Sequence, residues 1–219
     1  VRIVELGIQS TNNKVLDAVG RPCNFDTVRS AVNSIRKNGL GLGLQLMPGL
    51  PEDNESIFMQ SVHDVIGLEP DFVRIYPTLV IKNTDLYEMY NSGSYVPWSL
   101  ERMIQLVKNA LKAFKKFDIS VIRVGLHADP SMLENLVDGP YHPSFRYLVE
   151  SRIARDRMFD LIESLPEIPS TISFRVPSRH VSLFLGHKKD NISAIKSRYG
   201  IRNILIQQIG NLEDLQLVA

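Results

Sequence analysis

Four stretches of the chain alternate apolar and polar residues with the two-residue period of a strand, and the segments between them repeat apolar positions with helical spacing. The strand-like runs are RIVELGIQ, GLGLQLM, DFVRIYP and ISVIRVGL, starting at residues 2, 41, 71 and 119. The helical patterns cover 25–39, 54–67 and 99–117. Asn54 and Ser99 stand where N-caps belong, and Gly39 and Gly67 where a left-handed C-terminal turn is favoured. This alternation predicts right-handed βαβ units and a parallel sheet. Four such strands are half of an eight-stranded barrel.

Beyond them, residues 146–165 form one long helical pattern, and the Pro-rich PEIPS at 166–170 interrupts it. The remaining pattern is a strand at 171–176, a short helix at 180–186, the loop HKKD, a helix at 191–200 and a strand at 201–209. The expected domains are therefore 1–165, α/β, and 170–219, small and α+β.

The four early strands share a peculiarity. Each has one apolar face, such as Leu40, Leu42, Leu44 and Leu46 in the second or Ile122, Val124 and Leu126 in the fourth. The opposite faces carry Glu5, Gly7 and Gln9; Gly41, Gly43, Gln45 and Met47; Phe72, Arg74 and Tyr76; Arg123, Gly125 and His127. A parallel sheet buried on both sides reads as nearly continuous Val, Ile and Leu. A polar, glycine-rich face predicts a cavity for water or a ligand, with close approach to the backbone at the glycines. Ligands of such folds sit at the carboxyl ends of strands, where Gln9, Ser10, Gln45, Tyr76 and His127 fall. A merely solvated face, with each polar group satisfied structurally, is the other reading.

Composition narrows the function classes. Lys plus Arg number 25 and Asp plus Glu 24, so overall charge singles out neither nucleic acid nor membrane. No apolar run reaches the roughly 20 residues of a membrane span, no signal-peptide pattern opens the chain, and the cytoplasm is the expected location. Cys23 is the only cysteine, so the chain holds no internal disulfide and cannot by itself ligate an iron–sulfur cluster; no metal site is expected within it.

Three segments resemble a known family. ELGIQSTNNKVLDAVGR, GLGLQLMPGLPEDNES and DFVRIYPTLVIKNTDLYEMYNSG resemble the radical S-adenosylmethionine (SAM) enzymes, in the branch that contains the catalytic subunit of Elongator and oxygen-independent coproporphyrinogen III oxidase. YHPSFRYLVESR looks like the Elongator-like members in particular. The resemblance covers roughly residues 1–155 and implies an open, partial βα barrel of TIM type, of which residues 1–9 are the fourth strand. The family's CxxxCxxC motif is absent. The resemblance therefore implies the C-terminal half of a longer oxidoreductase or transferase, coproporphyrinogen-oxidase-like or Elongator-like, inactive by itself. The full-length parent would use SAM and a 4Fe–4S cluster, neither expected on the fragment, and would release a 5′-deoxyadenosyl radical.

By the same resemblance, Gln9 contacts the SAM ribose, Arg21 the SAM carboxylate, and Gln45 stands where a relative has a ribose-binding aspartate. Gly49, in MPGLP, lines the adenine pocket and Tyr76 flanks it; Glu5 and Ser10 complete the cofactor set. Relatives often have histidine where Cys23 stands. Arg74, Arg123, His127 and His142 are candidates for substrate, although a lone histidine is more often structural. Glu150 and Arg152 are an active-site pair or, more commonly on a helix, a solvent ion pair.

The tail resembles a KH-type RNA-binding module, in which a GxxG loop clamps the nucleic-acid backbone. Gly186 is present, Lys189 replaces the second glycine, and Lys188 and Lys189 offer charge to phosphates. A unit that only packs against the barrel or a partner is the alternative. Expected partners are the missing N-terminal half of the barrel, tRNA, and a second copy through the exposed edge of the first strand; no membrane is expected. The competing functional class is a non-catalytic RNA-binding or regulatory module.

Overall fold

The computed structural model describes residues 2–126, 129–210 and 212–218 and divides the chain by packing into two units, Val1–Phe145 and Arg146–Ala219. In the first, strands β1 (Ile3–Gln9), β2 (Gly41–Leu46) and β3 (Phe72–Ile75) are the first three expected ones. After the short strand β4 (Val80–Ile81), the fourth expected strand is β5 (Ser120–Val124). The sheet order is β1-β2-β3-β5, every pair parallel, with no reversal. Crossovers of one hand that advance in one direction place all connecting helices on one face. Helices α2 (Phe25–Lys37), α3 (Glu55–Gly67) and α5 (Leu100–Lys116) supply that layer, following the short α1 (Asn13–Ala18) and flanking α4 (Asp85–Asn91). Their apolar stripes, including Val32, Val62 and Val107, are buried with Leu44, Val73 and Ile75 of the sheet.

Caps fix where these helices begin. Asn54 accepts from the Ile57 N–H at 3.0 Å and Ser99 from the Arg102 N–H at 3.3 Å, as their positions suggested. Gly39 takes φ +65 beyond α2. At the end of α3 the expectation fails: Gly67 stays helical, and the left-handed residue is Glu69, at φ +47.

Short elements without periodicity escape the sequence pattern. β4 pairs antiparallel with β6 (Leu136–Asp138), which follows α6 (Pro130–Asn135). Among the described residues β1 and β5 are the edges of the main sheet.

The second unit begins earlier than the Pro-rich break suggested. Helix α7 (Phe145–Glu163) places Ala154, Met158 and Ile162 in one core with Ile172, Phe174 and Val176 of β7 (Thr171–Pro177). It is therefore part of the tail's core rather than a trailing helix of the first domain. Helices α8 (Val181–Leu185) and α9 (Asp190–Tyr199) and strand β8 (Asn203–Ile209) follow in the expected order. A further strand, β9 (Gln216–Val218), pairs antiparallel with β7, and the sheet order is β8-β7-β9 with β7 and β8 parallel. No helix among the described residues is long and apolar enough to cross a membrane.

Candidate active site on the polar face of the main sheet

Partnered residues of a parallel sheet point to the same side, so register shows which polar groups meet. One row across the sheet reads Gly7, Gln45, Arg74, Arg123, and the row before it Glu5, Gly43, Phe72, Ser120. Glu5 Oε1 lies 3.2 Å from Arg74 Nε, and Arg74 Nη1 donates to the Tyr76 hydroxyl at 3.2 Å. The hydrogen bond to Tyr76, with the Glu5 carboxylate adding to it, raises the Arg74 pKa above its ordinary value. Both side chains of the ion pair are about 30 % exposed, so it stabilises the fold by at most about 1 kcal/mol. Its effect is to fix where the guanidinium sits.

The glycines do not open this face as expected. A Cβ on Gly43 would lie 2.3 Å from the Phe72 ring, and one on Gly7 2.9 Å from Gln9 Nε2. The chain's own side chains fill those positions.

Gln9 occupies a strained turn. Its φ is +65, and the Ser10 N–H donates across it to the Ile8 carbonyl at 2.8 Å, the two-residue closure of a γ-turn. The β1–β2 register skips Ile8 at this point, and the Met47 N–H holds the Gln9 carbonyl at 2.9 Å. A non-glycine residue in this region costs of order 1–3 kcal/mol, and such residues cluster at functional sites. The turn brings the Gln9 side chain to Gln45, whose Nε2 donates to Gln9 Oε1 at 3.2 Å. Arg21 reaches back to the same bulge: Nη2 donates to the Gly7 carbonyl at 2.5 Å, while its buried Nε has no hydrogen-bond partner.

Four other expected residues have partners within the chain. Ser10 is buried, its Oγ 3.3 Å from Ser61 Oγ, and it accepts from the Asn12 N–H. Gly49 is buried at φ +88, with its N–H on Asp53 Oδ2 at 2.9 Å and its carbonyl on the Tyr95 hydroxyl at 2.6 Å. The His142 Nδ1 accepts from the Ser144 N–H at 3.1 Å. Glu150 pairs with Arg146 at 2.7 Å. His127 lies outside the described residues.

A cavity of about 450 Å³ opens at the carboxyl ends of β1, β2 and β3. Val19, Met47, Leu50, Leu79, Leu86 and Met89 give it a mostly apolar lining. The polar-face argument reached Met47 alone among these residues and missed the others, because a Val, Met or Leu outside the strands reads as ordinary core. Met47, two residues beyond Gln45, continues that face into the cavity.

Asp53 supports the turn that forms part of the rim. Its two oxygens accept from the Gly49 and Asn54 N–H groups, each at 2.9 Å, while burial pushes its pKa up to about 6. The folded state thus binds a proton more tightly than the unfolded one, whose carboxyl titrates near 3.8. Stability contributed by this group is highest below about pH 4 and falls as pH rises to about 6. In Asp53→Asn, one of the two N–H groups loses its acceptor. Urea titrations should show a loss of about 1–2 kcal/mol together with a flatter slope between pH 4 and 6.

Comparison with known proteins places this geometry. Residues 70–155, which contain Arg74, Tyr76 and Arg123, match the Radical_SAM C-terminal domain. That match spans 86 of the chain's 219 residues. It is 32 % identical over 117 residues to a tRNA uridine(34) acetyltransferase of Methanocaldococcus jannaschii, covering 52 % of this chain and 22 % of that protein. Elongator complex protein 3 of Bos taurus is 29 % identical over 111 residues, 49 % of this chain and 20 % of that one. Among solved structures, the archaeal Elp3 of Methanocaldococcus infernus with an N-terminal deletion superposes with a TM-score of 0.66 at 27 % identity. That superposition covers 72 % of this chain and 37 % of the Elp3 chain. The chain thus spans about a fifth of the length of the curated relatives just named. The relatives just named include Elongator-type proteins and lend no support to the coproporphyrinogen oxidase branch.

In the second unit, the loop between α8 and α9 keeps the form that glycines would favour. Gly186 has φ +81 and ψ 169, and Lys188 and Lys189 follow at φ +52 and +63, both exposed. Lys189 therefore adopts the left-handed backbone expected of the missing glycine.

Proposed function

We propose that this chain supplies the C-terminal arc of a partial barrel in an Elongator-type radical SAM enzyme that modifies tRNA. The observation that carries this reading is the convergence of Arg21, Gln9 and Gln45 on the Gly7–Gln9 bulge, with Gly20, next to Arg21 in the chain, and Met47, just beyond Gln45, lining the strand-end cavity. Arg21 keeps a buried, unpartnered Nε, and the two amides are linked at 3.2 Å. These groups fit SAM: a cationic donor for its carboxylate, amides for its ribose hydroxyls, and an apolar cavity of about 450 Å³ for a nucleoside-sized group. Arg21, Gln9 and Gln45 would hold SAM, which would supply radical hydrogen abstraction once a cluster elsewhere in the parent reduced it. The cluster itself does not fit here, since Cys23 cannot provide its several thiolates; its ligands belong to another part of the parent.

On this reading Glu5 orients Arg74, Tyr76 holds the same guanidinium from the other side, and Phe72 closes the sheet beneath them. The Gln9 turn presents its amide without rotameric search, the kind of preorganisation a cofactor site needs. The second unit acts as a KH-like module whose Lys188 and Lys189 meet tRNA phosphates at the loop that Gly186 opens. The similarity to a tRNA uridine(34) acetyltransferase and the exposed left-handed lysines support this part.

The test uses the full-length parent, reconstituted anaerobically with iron and sulfide. Release of 5′-deoxyadenosine from SAM that increases with added tRNA is the expected result; release indifferent to tRNA removes tRNA as substrate. For the tail, Lys188→Ala with Lys189→Ala should reduce the slope of log affinity against log salt by roughly one per lysine. An unchanged slope would take the loop out of the interface.

A further inference from the structure

The β3–β5 pairing contains one irregularity. Val73 partners Val121, yet the next partners are Arg74 and Arg123, so Ile122 is an extra residue in β5. An unbroken register would set Ile122 beside Arg74 and Arg123 beside Ile75. Ile75 is fully buried, and the position beside it is filled instead by Val124, 7 % exposed. The bulge turns Arg123 out of the apolar layer and onto the polar face next to Arg74, and it leaves Ile122 49 % exposed. Bulges beside active sites re-aim side chains in this way.

The result is two guanidinium-bearing residues directly opposed on one face, an arrangement that is unfavourable unless an anion joins them. Glu5 supplies one carboxylate, and it pairs with Arg74. No hydrogen bond or ion pair among the described residues engages the Arg123 side chain. Gln45, the next residue in the row, is committed to Gln9 through its N–H. Arg123 therefore presents a complete fork of donors beside a second cation whose charge is already met.

We propose that Arg123, with Arg74 as its neighbour, is an oxyanion subsite that takes a phosphate or carboxylate group of the substrate. The fork geometry of Arg123 suits either group, because both offer two coplanar oxygens. Glu5 prevents the site from holding two anions at once by neutralising Arg74. The subsite itself rests on the sheet register; that its anion belongs to the substrate rests on the enzyme reading above.

The test titrates inorganic phosphate into the 219-residue chain at constant ionic strength in chloride, following the midpoint of thermal unfolding, with malonate as the carboxylate arm. A saturable rise with either ion is expected, and the stronger ion identifies the group. Arg123→Gln should weaken the apparent affinity at least about tenfold, the loss of a charge-assisted hydrogen-bonded pair. Arg123→Lys should retain part of it, since the charge remains and the fork does not. Lys188→Ala with Lys189→Ala, the alternative anion-binding position, should leave the affinity as it is. The proposal is overturned if Arg123→Gln binds phosphate and malonate like the parent chain, if neither ion gives a saturable shift, or if the lysine variant alone abolishes it. These outcomes are independent of SAM cleavage: the subsite stands if Arg123 governs anion binding while the full-length protein releases no 5′-deoxyadenosine, and the SAM reading stands in the converse case.

Discussion

Asn191→Asp should destabilise the second unit by about 3–5 kcal/mol at neutral pH, the largest effect expected of a single-atom-group change in this chain. Asn191 is 1 % exposed, and its Nδ2 donates to the Ser151 carbonyl at 3.0 Å, the Leu183 carbonyl at 2.9 Å and the Phe184 carbonyl at 3.3 Å. Ser151 Oγ, at 3.1 Å, offers no donor in return, because its hydroxyl is given to the Leu183 carbonyl at 3.0 Å. One amide thus ties α7, α8 and α9 together. Aspartate would put a carboxylate among four acceptors, and its pKa must rise for the fold to persist. The sign follows: the penalty is full above the raised pKa, shrinks as pH falls from there toward the unfolded value near 4, and changes no further below it. Urea unfolding at pH 7 and at pH 4 measures both, and a variant equally stable with the parent at pH 7 would contradict the network.

Gly186→Ala should cost about 2–4 kcal/mol, for reasons of backbone rather than of ligand approach. At φ +81 and ψ 169 the residue occupies a region that only glycine enters freely. A Cβ there would fall within 2.9 Å of the Asn191 backbone nitrogen and closer still to Asp190 Oδ1. The backbone contact cannot be relieved by a rotamer change. Calorimetry of the variant should show a lowered unfolding midpoint in the absence of any nucleic acid. A midpoint equal to that of the parent, with weakened tRNA binding alone, would instead assign Gly186 to recognition.

The four parallel strands were legible because each is long enough to show its alternation and each is bounded by a capped helix. Asn54 and Ser99 announced two of those helices correctly. What periodicity cannot carry is an interruption of itself. The bulges at Ile8 and Ile122 are invisible to a two-residue rule, so Ile122 looked like a core residue and the γ-turn at Gln9 like a plain strand end. Glycines at 7 and 43 looked like openings because a sequence does not show that Gln9 and Phe72 fold back over them. The β4–β6 pair and β9 are two or three residues long, too short for any pattern to exceed chance.

The domain boundary shows a different limit. PEIPS has the composition of a linker, and α7 before it has the amphipathic pattern of any barrel helix. Only packing shows that Met158 and Ile162 belong with Phe174. Within the site, Gln9, Gln45, Glu5 and Arg74 were each named singly from their strand faces, and the structure joins them as Gln9–Gln45 and Glu5–Arg74, pairings the faces did not predict. Asp53 and, Met47 apart, the Met and Leu lining of the cavity were not named, since neither type carries a signal that separates site from scaffold.

The central claim is that Gln9 and Arg21 hold SAM in the parent enzyme, and the most direct measurement is 5′-deoxyadenosine yield from cluster-loaded full-length protein carrying Gln9→Gly or Arg21→Gln. Gln9→Gly keeps the left-handed turn and removes only the amide. The account predicts that both variants retain the iron content of the parent and lose at least about tenfold in yield at limiting SAM. Parental yields from both variants at equal iron content would contradict it.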